Sequence, residues 1–350
     1  MVYFVTGATG FIGRFLVERL LEREGEVHVL VRAGSQDKLA ALAKGWGHPG
    51  RVKPVVGDLT KPALGVGSAW IAAHKGKVDH VFHLAAVYDM AADEERNRVA
   101  NVEGTRHAVE LANAVGAGCL HQVSSVAAAG LYEGVFTEAM FDEGQPLDHP
   151  YHRTKFESEK IARTETKGPW RVYRPAIVVG HSQTGEMDKI DGPYYLFRAL
   201  KLGARLPEIL PLLGPRMGET NIVPVDFVAA ALDHIAHQPG LDGHAFHLVS
   251  PEPQSSVELI NTFAQIAGAP RVTAALPAAT LPLALKVPGV RGRLLPSLGI
   301  PGEAIDYVSF TARFTCTDTL DALAGSGISV PPLDSYARVL WDYWEQHLQT

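Results

Sequence analysis

Eight residues near the amino terminus, Thr6-Gly7-Ala8-Thr9-Gly10-Phe11-Ile12-Gly13, constrain the fold of this chain more than any other stretch. They follow a short apolar run, Val2 to Thr6, that reads as a strand. They open a segment, Phe11 to Arg23, in which Phe11, Phe15, Leu16, Leu20 and Leu21 fall at helical spacing. Three glycines at that junction let the backbone turn tightly and approach a pyrophosphate, and the free N–H groups of a helix start favour an anion. A purely structural turn is the alternative, but the strand-turn-helix placement favours a dinucleotide site. Thr6, Gly7, Thr9, Gly10, Phe11, Ile12 and Gly13 are therefore expected at the cofactor.

Further strands are expected at Val27 to Val31, Val52 to Val56, His80 to His83, Cys119 to Ser124 and Trp170 to Tyr173, with long helices over Glu94 to Val115 and Tyr151 to Thr166. This alternation predicts an α/β fold, a Rossmann-type doubly wound parallel sheet. From Gly180 to Glu219 only short segments rich in Gly and Pro are expected. Ile222 to Pro224 then leads into a helix, Asp226 to Ala236, a strand, Ala245 to Val249, and a helix, Ser256 to Ala267. Pro270 to Pro301 is apolar and broken by proline, and Tyr336 to His347 carries Val339, Leu340, Tyr343 and Trp344 at helical spacing. The expected division is a nucleotide-binding domain over 1–180, to which 221–249 returns, and a smaller carboxy-terminal substrate-binding cap over 181–220 and 250–350.

The net charge is 32 − 38 = −6 with no long block of lysine or arginine, which speaks against a nucleic-acid partner. Cys119 and Cys316 are too few for a disulfide framework, and a reducing cytoplasm fits them best. The apolar pattern starts at Val2 with no basic n-region, and no apolar run reaches about eighteen residues, so neither a signal peptide nor a spanning helix is expected.

The second strand ends at Val31-Arg32, without the acidic residue that would bind a free ribose 2′-hydroxyl. An arginine there favours NADPH, since a charge-assisted contact to the 2′-phosphate contributes about 1.5 to 3 kcal/mol, roughly ten- to a hundredfold in affinity. Ser35 and Lys38 are placed to assist; the competing reading of Arg32 is a solvated surface charge. Asp58 and Leu59 after the third strand suit an adenine edge, and Ala85 and Ala86 after the fourth are small enough to run under the inner ribose. Ser124-Ser125 ends the fifth strand at the carboxyl edge of the sheet, where Ser125 is placed to donate to a substrate carbonyl. Tyr151 and Lys155 are four apart, hence on one helical face, where an ammonium stabilises a phenolate and makes a phenol with pKa of about 10 a better proton donor. Such pairs also occur on solvated helix faces.

Taken together, Thr6 to Gly13, Gly57-Asp58-Leu59, His83-Leu-Ala-Ala86, Asn101-Val-Glu-Gly-Thr105, Ser124-Ser125, Tyr151-x-x-x-Lys155 and Arg174-Pro175 resemble the extended short-chain dehydrogenase/reductases in order and spacing. The resemblance implies Ser125, five residues before Gly130, as catalytic serine, Tyr151 as acid/base, and Lys155 as partner of Tyr151 and of the nicotinamide ribose. It also implies a lesser structural or relay role for Asn101 and places Arg174 and Pro175 at the cofactor. Val87-Tyr88-Asp89-Met90, Gly185 to Tyr195, Asn221 to Asp226 and Leu340 to Trp344 look like the amino-terminal reductase module of bacterial alcohol-forming fatty acyl-CoA reductases, near the thioester reductases. That likeness implies a fatty aldehyde or fatty acyl-CoA substrate, with Tyr88, Met187 and Tyr194 as candidates for contacting it. In such enzymes a second reductase module follows, and a chain stopping at Thr350 fits an excised module or a shorter relative; the resemblance to the two-module enzymes tilts the expectation towards aldehyde reduction.

Burial of a long acyl chain at about 0.8 kcal/mol per methylene would suit the Leu- and Pro-rich stretch Leu281 to Val290, which reads equally well as core. Lys286, Arg291 and Arg293 suit a coenzyme A phosphate or the protein surface. Glu94, Glu95, Arg96 and Arg98 read as a solvated helical face, with a homodimer contact as the alternative. Four His-x-x-His spacings, at His80, His149, His234 and His244, lack the geometry or the companion ligands of a metal site, and no metal is expected. The competing functions are an NAD-dependent nucleotide-sugar epimerase or dehydratase, and a non-catalytic NADP-binding redox sensor.

Overall fold

Seven strands form one sheet in a computed structural model that describes residues 1–85, 98–188, 190–215, 219–276 and 312–349, with Gly292 alone between the last two. They are β1 (Val2–Thr6), β2 (Glu26–Val31), β3 (Val52–Val56), β4 (His80–His83), β5 (Cys119–Val123), β6 (Trp170–Pro175) and β7 (Ala245–Leu248), in the order β7-β6-β5-β4-β1-β2-β3. Every neighbouring pair is parallel. The crossovers carry α1 (Phe11–Glu22), α2 (Gln36–Gly45), α3 (Ser68–His74), α4 (Gly104–Val115) and α5 (Pro150–Glu165). This is the doubly wound α/β sheet that the alternation predicts.

Helices on both faces explain why the strands are nearly continuous apolar runs: Tyr3, Phe4 and Val5 are all wholly buried. Under one face Phe4, Val81 and Leu120 meet Val109, Leu111 and Val115 of α4 and Ile161 and Ala162 of α5. Each large aliphatic side chain buried there contributes about 1.5 to 3 kcal/mol. The winding reverses between β1 and β4, where Thr6 lies in register with His83, so the switch point of the sheet lies beside the glycine turn. α5 starts where it does because Pro150 occupies its first turn and the His149 ring accepts the Tyr151 N–H at 3.0 Å.

The chain divides into two compact units. The first comprises Met1–Ala176, Asp226–Leu248 and Phe314–Ser329, the second Ile177–Val225, Val249–Arg313 and Val330–Thr350. Ile222–Pro224, expected to return to the nucleotide-binding domain, pairs with Ile177–Val179 in the second unit, and Phe314–Ser329, expected in the cap, belongs to the first. In the second unit the helix Tyr194–Gly203, absent from the sequence-based expectation of short segments, buries Phe197 against Phe263, Trp341 and Trp344 at ring distances of 4.5, 5.1 and 5.5 Å. Gly185, at φ +74°, runs so close to the carboxy-terminal helix Leu333–Tyr343 that an added Cβ would lie 2.5 Å from that of Tyr343. The helix expected from Glu94 is described from Arg98 and opens with a π turn, Val99–Glu103. Glu94, Glu95 and Arg96 lie outside the described residues, as do Ala86, Tyr88, Leu281 to Val290, Arg291 and Arg293. Among the described residues no helix is long and apolar enough to cross a membrane.

Candidate active site

The glycine turn is built by exclusion of side chains. Gly7 takes φ +74°, and a Cβ there would stand 2.7 Å from the Ala85 nitrogen; one on Gly13 would overlap the Gly7 carbonyl. Both overlaps are with backbone, which cannot swing aside, so the cradle tolerates only glycine at these two positions. Gly10 caps α1 with no side-chain hydrogen bond, so the first N–H groups of the helix have no capping side chain. A pyrophosphate fits such a cradle. Thr6 does not reach it: its hydroxyl is wholly buried, accepts from Ala85 N at 3.2 Å and bonds His83 Nδ1 at 2.7 Å. It locks β1 to β4 beneath the turn. Thr9 and the Phe11 ring are half-buried, the latter edge-on to Phe15.

Arg32 and Lys38 are exposed and Ser35 half-buried where β2 passes through a short turn into α2. The Ser35 hydroxyl does not cap α2. Asp58 Oδ1 accepts from the Thr60 N–H and hydroxyl, both at 2.9 Å, and these bonds hold its carboxyl below the usual range. Leu59 is half-buried and its carbonyl accepts from His107 Nδ1 at 2.7 Å. Asn101 is buried in the π turn, where its carbonyl accepts the Thr105 and Ser158 hydroxyls.

β5 delivers Ser124 and Ser125 to the carboxyl edge with opposite fates. Ser125 has extended backbone and is half-buried; its Oγ accepts the Ala127 N–H at 3.2 Å, which leaves its own proton for a further partner. Ser124 points inward and its Oγ donates to Glu159 Oε2 at 2.8 Å. The turn Val126–Ala129 packs on α5, which carries Tyr151 and Lys155. Lys155 is 8% exposed, its Nζ lies 5.9 Å from the centre of the Tyr151 ring, and burial pulls its ammonium down to about 8. Burial, with a smaller push from Lys155, pulls His83 down to about 3, so that imidazole is neutral.

Arg174, expected at the cofactor, serves the fold instead. It is 1% exposed and its guanidinium binds Glu159 at 2.7 Å, His247 Nε2 at 3.0 Å and the Met140 carbonyl at 2.9 Å. Pro175 is buried at the end of β6, opposite Leu248. Burial alone would raise Glu159, but Arg174 and Arg163 outweigh it and hold the carboxyl below the usual range. Glu159 was not singled out by the sequence, although its position four residues beyond Lys155 puts it on the same helical face. In the second unit Tyr194 is likewise committed to the fold, its hydroxyl accepting the Gly180 N–H at 3.2 Å, and Met187 is buried. His80 and His83 find separate partners, as do His234 and His237, and among the described residues no group of three or more His, Cys, Asp or Glu is placed to hold a metal ion.

A parallel sheet wound in this order, a glycine cradle after β1, and a buried lysine one turn from a tyrosine define an NAD(P)-binding domain of the extended short-chain dehydrogenase/reductase class. The profile of the male sterility protein family matches residues 5–232. Aldehyde reductase lnaA of Aspergillus flavus is 33% identical over 294 residues, covering 75% of this chain and 27% of that protein. Nonribosomal peptide synthetase asaC of the same species is 31% identical over 280 residues, covering 73% and 27%. Among solved structures, the terminal R domain of the myxalamid PKS-NRPS biosynthetic pathway superposes with a TM-score of 0.82 at 26% identity, over 100% of this chain and 92% of that one. The chain belongs to the male sterility protein family and is an NAD(P)-binding reductase. It spans about a quarter of the length of these curated relatives.

Proposed function

We propose that the chain is an NADPH-dependent reductase of fatty acyl carbonyls, converting fatty aldehydes to alcohols and fatty acyl-CoA thioesters to aldehydes. The observation that carries this reading is the Lys155 ammonium, buried one helical turn from Tyr151 at the edge where Ser125 emerges. Gly7, Gly10, Gly13 and the first N–H groups of α1 would hold the pyrophosphate. Arg32, Ser35 and Lys38 would take the 2′-phosphate, and Asp58 and Leu59 the adenine. When bound, the nicotinamide supplies the hydride. Ser125 donates its free proton to the substrate oxygen as negative charge builds there, and Tyr151 delivers the proton that completes the hydroxyl. Lys155 stabilises the phenolate left behind. With an aldehyde the product is the alcohol; with a thioester the hemithioacetal expels its thiol and leaves an aldehyde.

The exposed Arg32 supports NADPH over NADH, since nothing acidic takes its place after β2. The likeness to an aldehyde reductase supports this reading over a nucleotide-sugar epimerase. The likeness to a peptide synthetase favours a second substrate, a thioester-linked peptidyl group in place of the fatty acyl chain. The test offers decanal and decanoyl-CoA separately, each with NADPH and with NADH, and identifies the products. NADPH consumption with decanol or decanal formed supports the proposal. No turnover with either, alongside conversion of a nucleotide sugar, removes it.

A further inference from the structure

The serine at the sheet edge and the tyrosine and lysine on α5 belong to different elements, and one buried carboxylate ties those elements together. Neighbouring residues on an extended strand point to opposite sides, so when Ser125 faces out Ser124 faces in. Ser124 is 4% exposed and donates to Glu159, which is wholly buried, four residues beyond Lys155 and eight beyond Tyr151 on α5. The far side of Glu159 is held by Arg174 of β6, the strand paired with β5, and by Arg163 of α5 itself at 2.7 Å. β5, β6 and α5 therefore meet on this one side chain.

We propose that Glu159 is a positioning residue which, through the Ser124 hydroxyl, sets the distance between Ser125 and the Tyr151–Lys155 face. The role is geometric. Burial lowers Lys155, while the Glu159 charge is taken up by two arginines. A misplacement of about 1 Å at a reacting centre costs on the order of a hundredfold in rate, so a clamp at this junction acts on turnover rather than on dinucleotide affinity.

The inference rests on the catalytic reading of Ser125, Tyr151 and Lys155, and the experiment separates the two. Glu159 itself is a poor target, because its loss leaves two guanidiniums uncompensated in the interior. Ser124→Ala removes only the tie. With decanal and NADPH, kcat is expected to fall about 10- to 100-fold with KM for NADPH unchanged. Ser124→Thr, which keeps the hydroxyl, is expected to restore it, and the pH at which kcat declines should not move. Crystal structures of wild type and Ser124→Ala should show Ser125 Oγ displaced relative to the Tyr151 ring, a readout that needs no turnover. An undisplaced Ser125, wild-type kcat in Ser124→Ala, a loss that Ser124→Thr does not restore, or a shifted pH limb each overturns the proposal. Tyr151→Phe runs in parallel: if it keeps its turnover the catalytic reading fails, whereas if it is inactive while Ser124→Ala is normal, only the positioning role fails.

Discussion

Lys155 holds its ammonium 5.9 Å from the centre of the Tyr151 ring, in a place where burial alone brings its pKa down to about 8. The protein keeps a desolvated cation beside a phenol, an arrangement that costs stability and suits proton transfer.

Removing the phenolic hydroxyl should separate chemistry from binding. Tyr151→Phe is expected to lower kcat by about 10² to 10⁴ while the dissociation constant for NADPH stays within about twofold. Stopped-flow turnover and fluorescence titration measure the two, and turnover near the wild-type rate would take Tyr151 out of the mechanism.

Lys155 makes stability depend on pH in a definite direction. Its folded pKa, about 8, lies below the ordinary 10.5, so the unfolded chain binds the proton more tightly between those values. The penalty is complete below about pH 8 and is relieved as pH rises to about 10.5, for a gain of about 3 kcal/mol. Lys155→Met should be more stable than wild type at pH 7 by an amount of this order, lose that slope and lose turnover. Urea unfolding of both proteins at pH 7 and pH 10 tests it; parallel pH dependences would refute it. Wild-type kcat should decline as pH passes about 8.

Arg32→Ala should raise KM for NADPH about 10- to 100-fold and leave KM for NADH nearly unchanged. Equal effects on both coenzymes would make Arg32 a surface charge, the competing reading of its sequence position.

At Gly13 even one methyl group collides with the Gly7 carbonyl. Gly13→Ala is expected to destabilise the chain by about 1 to 3 kcal/mol and to weaken dinucleotide binding more than Gly10→Ala does, where the nearest atom is 3.2 Å away. Thermal melts and titrations of the two variants should rank them in that order.

Breaking the Glu159–Arg174 pair should cost far more. Arg174→Met leaves a wholly buried carboxylate short of its main partner, and about 3 to 5 kcal/mol of stability should go with it. A variant that folds normally but binds NADPH poorly would return Arg174 to the cofactor.

The sheet was legible in one dimension because each strand is a short apolar run bounded by glycine or polar residues, and Thr6 to Gly13 marks where the first of them must turn. The helix Tyr194–Gly203 was not: Gly192 and Pro193 precede it, and Phe197 finds its cover only in Phe263, Trp341 and Trp344, far along the chain. Motif spacing likewise could not say what surrounds Arg174. The family resemblance implied the cofactor for it, while the carboxylate that claims it lies fifteen residues earlier on another element. Ser124 and Ser125 differ in the same way, since adjacency in sequence conceals that one hydroxyl is spent internally on Glu159.

Glu138 bears on the order in which the chain can fold. Its buried carboxylate accepts from the backbone N–H groups of His247, Asp318 and Thr319, all within the first unit. Two of those donors lie about 180 residues downstream, beyond most of the second unit's chain. The nucleotide-binding unit therefore cannot finish during synthesis of its own amino-terminal half. The hydrogen bonds around Glu138 form only once Phe314–Ser329 has been made, so this corner of the unit is closed by contacts of long sequence separation, the kind that carry the largest loop-closure cost in folding.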